Sequence, residues 1–209
     1  DWPNQHEFAT GKITEVLSDD NDRELIIETT LLNYDIPSDF SEAALEQANA
    51  YQEPTEKDLK GRRDLRDLPL ITIDGEDARD FDDAVFAEKR SGGNYRVLVA
   101  IADVSYYVTP NSPLDKDAYE RGTSVYFPHR VIPMLPEVLS NGLCSLNPDL
   151  DRLCMVADIK ISRAGKVTGY EFYPGVMHSQ ARLTYNQVNA YLADPNDNSV
   201  PESLTGNKD

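Results

Sequence analysis

Leu70-Ile71-Thr72-Ile73-Asp74-Gly75-Glu76-Asp77-Ala78-Arg79-Asp80-Phe81-Asp82-Asp83-Ala84 is the stretch on which the reading of this 209-residue chain turns. Its first four residues are apolar or β-branched, the composition of a short buried strand, and that strand delivers Asp74 at its end. A further strand, residues 84–87, starts directly after Asp83. Six carboxylates and a single Arg lie between positions 74 and 83. Two unit charges about 4 Å apart repel by roughly 4 kcal/mol at an effective dielectric near 20, so carboxylates that converge need protons or cations between them. A solvated acidic loop escapes that cost by splaying its side chains. Three features favour convergence: the strand that holds Asp74, the strand that begins after Asp83, and the apolar Phe81, which anchors the backbone inward between Asp80 and Asp82.

All-oxygen ligands select hard cations, and Mg²⁺ or Mn²⁺ held by a few carboxylates with water positions left open is the usual arrangement at phosphoryl-transfer sites. Asp74, Glu76 and Ala78 do not follow the calcium-loop series, and no glycine-rich phosphate loop occurs. An aspartyl-phosphate enzyme wants a second Asp two residues after the first, where Glu76 stands. His6, His129 and His178 lie in unrelated contexts and suit surface or core roles rather than a Ser/His/Asp constellation. Cys144 and Cys154 are spaced for neither a redox pair nor a zinc site, and read as two reduced, buried thiols.

Working outward, residues 95–102 pair with 84–87 across a turn at Gly92-Gly93, most simply as antiparallel neighbours. Alternating apolar residues on both sides of Arg163-Ala164-Gly165 make 153–162 and 166–178 a hairpin. Helices are expected from Arg23 to the break at Pro37, from Ser41 to about Tyr51, over 114–121 with Gly122 as terminator, near 137–141, and over 185–192. Residues 123–127 read as a strand, and 8–17 as another. The polar run 52–67 reads as a solvated connector, and the tail 194–209 as loosely ordered. This pattern is α+β: a mixed, mainly antiparallel sheet with flanking helices.

Hydrophobic residues make up 40% of the chain, enough for a packed core, and no apolar run is long enough to span a bilayer. The reading is therefore of a globular protein with no membrane partner, in the cytoplasm. The formal net charge of −17 opposes a polyanion unless cations bridge the two.

Around the acidic stretch run Asp64-Leu65-Arg66-Asp67-Leu68-Pro69, Val99-Ala100-Ile101-Ala102-Asp103-Val104-Ser105-Tyr106-Tyr107-Val108, Arg121-Gly122-Thr123-Ser124-Val125-Tyr126-Phe127-Pro128, and Val131-Ile132-Pro133-Met134-Leu135-Pro136-Glu137-Val138-Leu139-Ser140-Asn141-Gly142-Leu143-Cys144-Ser145-Leu146. Together these resemble the RNB catalytic domain of the ribonuclease II superfamily over about residues 64–192. The resemblance implies a processive hydrolase that removes nucleoside 5′-monophosphates from the 3′ end of single-stranded RNA, with Mg²⁺ as cofactor and Mn²⁺ as a substitute. It places the metal and catalytic carboxylates on Asp74, Asp80, Asp82 and Asp83, with Asp82 the most critical. It puts a base-stacking aromatic on Tyr126 and a residue near the terminal ribose on Tyr185. It further implies three segments: 1–36 as the end of a cold-shock or OB-like β-barrel, 37–63 as a helical connector, and 64–209 as the front of the catalytic domain. The family's later catalytic elements fall after position 209, so the chain is expected to be a fragment of a full-length monomer. The competing expectations are an RNA-binding relative without catalysis and a noncatalytic metal-binding module.

Overall fold

The computed structural model describes residues 11–13 and 22–194. Along these residues run α1 (Asp22–Asn33), α2 (Glu42–Ala50), β1 (Arg63–Asp64), β2 (Ile71–Asp74), β3 (Asp83–Arg90), β4 (Asn94–Ala102), α3 (Val104–Tyr107), α4 (Pro113–Arg121), β5 (Val125–Tyr126), β6 (Val131–Ile132), β7 (Asp151–Ile161), β8 (Val167–His178), β9 (Ala181–Thr184) and α5 (Tyr185–Ala193). They divide into two compact units. The smaller takes the described residues up to Asp39 together with Val125–Ile132; the larger takes Phe40–Ser124 and the described residues from Pro133 onward.

The larger unit is built on one seven-stranded sheet, ordered β1-β8-β7-β4-β3-β2-β9. Its centre is antiparallel, as β-branched and apolar alternation in β3, β4, β7 and β8 leads one to expect. Both edges depart from that rule, because β1 runs parallel to β8 and β9 runs parallel to β2. Alternate side chains of the central strands, Leu98 and Ala100 on β4 and Cys154 and Val156 on β7, face one core. Ala44 and Ala48 of α2, Leu114 of α4 and Leu139 of a π-helical turn (Val138–Leu143) close that core. At Gly175 the backbone of β8 comes so close to β7 and the loop after β1 that an added Cβ would lie 3.1 Å from Val156 and 3.3 Å from Leu65. A side chain there would require these neighbours to give way by a few tenths of an ångström.

Local chemistry sets the helix ends. The Ser41 hydroxyl caps α2 by accepting from the Ala44 N–H, and Ser41 donates from its own N–H to Asp117 of α4 at 2.7 Å. Ser112 caps α4, Pro113 occupies its first turn, and Gly122 ends it at φ 73°. Thr184 and Gln187 form a capping box on α5.

In the smaller unit, Ile27 and Leu31 of α1 pack with Ile132, flanked by Ile36, Val125 and Phe127. The expected strand 123–127 contracts to Val125–Tyr126, because its partner β6 offers only two residues. The strand expected at 8–17 falls outside the described residues except at 11–13.

The stretch 52–67 is a correction. Composition suggests a solvated connector, yet Arg62 donates to the buried Asp103 at 2.6 Å, Arg66 bridges Asp64 and Asp151, and Leu65 is buried. Arg62 and Arg66 find Asp103 and Asp151 far along the chain, which a local reading cannot see, while most of the stretch stays exposed. The short helix expected at 137–141 is the π-helical turn, closed by the Cys144 N–H donating to Leu139 O at 2.8 Å.

Candidate active site

Because β2 and β3 are antiparallel, the end of β2 and the start of β3 lie at the same end of the sheet. Asp74 is the last residue of β2 and Asp83 the first of β3, so the loop 75–82 is a short connection between two core strands. Asp74 is half-buried, whereas Asp80, Asp82 and Asp83 are exposed. Phe81, between two exposed aspartates, is only 3% exposed and belongs to the core. That alternation turns the neighbouring carboxylates outward while the backbone stays anchored.

Four hydrogen bonds hold the second half of the loop. The Ser145 hydroxyl accepts from the Phe81 N–H at 3.0 Å and donates to Arg79 O at 2.9 Å. The Leu146 N–H donates to Phe81 O at 2.7 Å, and the Ala102 N–H donates to Asp82 O at 2.8 Å. The first half is gripped from β9, where Arg182 donates to Glu76 O at 2.6 Å and Ala78 O at 3.2 Å. The Arg182 guanidinium also lies 4.8 Å from the Phe81 ring centroid, a cation–π arrangement. Asn186 of α5 donates to the Glu76 carboxylate at 2.9 Å.

The electrostatics are those of clustered negative charge. Partial burial, then the neighbouring charges of Asp82 and Asp74, push the Asp83 carboxyl above the usual carboxylate range. Among the described residues, no Lys, Arg or His forms an ion pair with Asp74, Asp82 or Asp83. Nor do any three His, Cys, Asp or Glu side chains among the described residues form a ready-made metal ligand group. The loop thus collects the charge without closing the carboxylates into a cage, as repulsion between unneutralised groups requires. An all-oxygen donor set of this kind fits a hard cation of the Mg²⁺ type, which keeps much of its water and takes one or two carboxylates directly.

Tyr185, the first residue of α5, is 58% exposed and follows Thr184, whose register partner on β2 is Asp74. The structure therefore brings Tyr185 to the sheet end that carries the loop. Tyr126 is 67% exposed on β5, in the smaller unit. Burial pushes the Cys144 and Cys154 thiols up to about 12, as expected of inert core cysteines. His178 bonds to Asp151 at 3.1 Å.

Sequence reasoning missed Ser145, Arg182 and the pair that backs Ser145. Arg152, buried, donates from Nε to Ser145 O at 2.9 Å and pairs with Glu53 at 2.5 Å. One signal was available: Arg152 takes an inward-facing position of β7, in step with Cys154 and Val156. No local signal marks Ser145 or Arg182, whose partners lie 64 and 104 or more residues away.

An α+β sheet with this carboxylate-bearing loop at its end defines a class, and the sequence matches the RNB domain over residues 62–207 and a cold shock domain over residues 1–41. The chain belongs to the RNB domain family. Ribonuclease R of Escherichia coli K12 is 57% identical over 187 residues, covering 89% of this chain and 23% of that protein. Ribonuclease R of Thermotoga maritima is 46% identical over 197 residues, covering 93% of this chain and 28% of that protein. Among solved structures, Mycoplasma genitalium RNase R in complex with double-stranded RNA superposes with a TM-score of 0.84 at 35% identity, over 91% of this chain and 34% of that one. The resemblance to the ribonuclease II superfamily and the α+β expectation are borne out, with ribonuclease R the branch shared by these relatives. The chain spans about a quarter of the length of the curated relatives.

Proposed function

We propose that this chain forms the carboxylate-bearing front of the catalytic domain of a 3′→5′ exoribonuclease that hydrolyses single-stranded RNA processively to nucleoside 5′-monophosphates. The observation that carries the reading is the loop itself: the charges of Asp82 and Asp74 act on Asp83, none of the three has an ion-pair partner among the described residues, and the backbone is pinned from three directions. Its membership of the RNB family supplies the reaction.

In this reading Asp74, Asp80, Asp82 and Asp83 hold divalent cations, Mg²⁺ with Mn²⁺ as substitute, and Asp82 is the most sensitive position. Ions held there would supply Lewis-acid activation of water and charge stabilisation of the leaving 3′-oxygen. The carboxylates orient that chemistry, and no side-chain nucleophile is needed. Tyr126 stacks on a base near the 3′ end and Tyr185 packs near the terminal ribose, both by presenting exposed aromatic rings. RNA binding by relatives supports this: RNase R of Mycoplasma genitalium has been captured with ribose-methylated single-stranded RNA. Among the described residues no helix is long and apolar enough to cross a membrane. We place the full-length protein in the cytoplasm as a monomer.

The test is a 5′-labelled single-stranded RNA given to the full-length protein with Mg²⁺. Stepwise shortening from the 3′ end is expected, abolished by Asp82→Asn. Equal degradation by both proteins removes Asp82 from the reaction; binding without degradation by either favours a catalytically silent RNA-binding relative.

A further inference from the structure

Ser145 bonds the two peptide groups that flank Asp80. The carbonyl of Arg79 accepts its hydroxyl proton and the N–H of Phe81 donates to its oxygen. Ser145 is fully buried, so a single hydroxyl fixes the direction in which the Asp80 Cα–Cβ bond leaves the backbone. The next residue, Leu146, takes the following carbonyl, that of Phe81. The Ser145 carbonyl is in turn held by the buried Arg152, which Glu53 pairs from the stretch before β1. Beside the Phe81 ring, Arg182 closes the first half of the loop through two carbonyls. Such partners touch no metal or substrate directly; they set the geometry of groups that do.

We infer that Ser145 and Arg182 are the positioning residues of the carboxylate loop: two clasps, one buried and one exposed, that fix the backbone carrying Asp80 and Asp82. The inference rests on the metal-site reading above. Without the clasps the loop backbone would be free to move, and a divalent cation would have to order it at the expense of affinity. Ser145 acts on the Asp80 side, Arg182 on the segment that leads to it from Asp74. The Arg152–Glu53 pair transmits the fold of residues 52–67 to this point.

The test measures Mn²⁺ binding to the full-length protein without RNA, by the loss of free-ion paramagnetic resonance signal, and compares wild type, Ser145→Ala, Ser145→Thr, Arg182→Gln and Asp82→Asn. Outer-partner losses typically weaken metal binding ~10–100-fold. Ser145→Ala and Arg182→Gln are each expected to weaken Mn²⁺ binding by about ten-fold or more, with RNA affinity in chelator unchanged. Ser145→Thr, which keeps the hydroxyl, is expected to recover part of the loss. Wild-type Mn²⁺ affinity in Ser145→Ala overturns the role of Ser145. Should Ser145→Ala fail to fold, the exposed Arg182→Gln decides: unchanged Mn²⁺ affinity there overturns the inference. Asp82→Asn separates the two levels. If it binds Mn²⁺ like wild type, the metal-site reading itself fails; if it loses binding while the clasp variants keep theirs, only the clasp inference fails.

Discussion

Phe81 has a carboxylate on each side and yet lies in the core with Leu139, Leu146 and Ala84. Burial of that ring is what allows a loop with so many like charges to remain short. Phe81→Ala is therefore expected to cost about 3–5 kcal/mol, the usual range for emptying a buried aromatic site. Urea unfolding of the metal-free protein measures it; a loss under about 1 kcal/mol would mean that the ring is not an anchor. At the residue scale, the gathering of carboxylates and the anchoring by Phe81 were legible because their arguments are local: an apolar run, six carboxylates and one aromatic within a dozen positions. Ser145 was not. A serine announces nothing until the two peptide groups it bonds are known, and these lie more than sixty residues earlier in the chain.

At the level of elements, the alternation in β4, β7 and β8 made the antiparallel centre of the sheet readable, whereas the parallel edges were not. β9 has four residues and β1 two, too few for a period to show, and a parallel partner is chosen by where the connecting chain returns. Between β4 and β7, Arg96 grips Asp158 with bonds of 3.0 and 2.6 Å, two positions off the Arg96–Lys160 register, a diagonal cross-strand pair. The Arg96 hydrogen bonds hold the Asp158 carboxyl below the usual carboxylate range. A group depressed in the folded state contributes stability above its unfolded pKa, near 3.9, and that contribution disappears as pH falls through the lower folded value. Asp158→Asn is accordingly expected to lower stability at pH 7 by about 1–3 kcal/mol. The gap between variant and wild type should shrink steadily once the pH drops below about 4. Denaturant midpoints at pH 7 and pH 3 check the sign; a gap that widens toward pH 3 would refute it.

On the scale of the whole molecule, the carboxylate loop and Tyr185 fall in the larger unit and Tyr126 in the smaller. This separation predicts separable losses. Tyr126→Ala should weaken binding of single-stranded RNA by about 1–3 kcal/mol, the value of one base stack, and leave Mn²⁺ affinity at the wild-type level. Fluorescence anisotropy with a labelled oligonucleotide and the resonance titration measure the two quantities; a parallel loss of both would tie Tyr126 to the metal site. The sheet also presents apolar side chains away from its core, with Ile101, Met155, Tyr170 and Phe172 all exposed. The chain's charge of −17 sits on a segment that spans about a quarter of its curated relatives. By itself the sequence determined the strands that bracket the loop, the run of carboxylates between them, and, through long matching runs, the family. These follow from contacts between near neighbours and from residue types. Only the tertiary structure decided that residues 52–67 are tied into the larger unit, that β9 lies parallel beside β2 and carries Tyr185 to the loop's end of the sheet, and that Ser145 and Arg182 grip the loop. Each of those is a hydrogen bond or pairing between residues far apart in the chain, and such partners are selected by packing rather than by any local pattern.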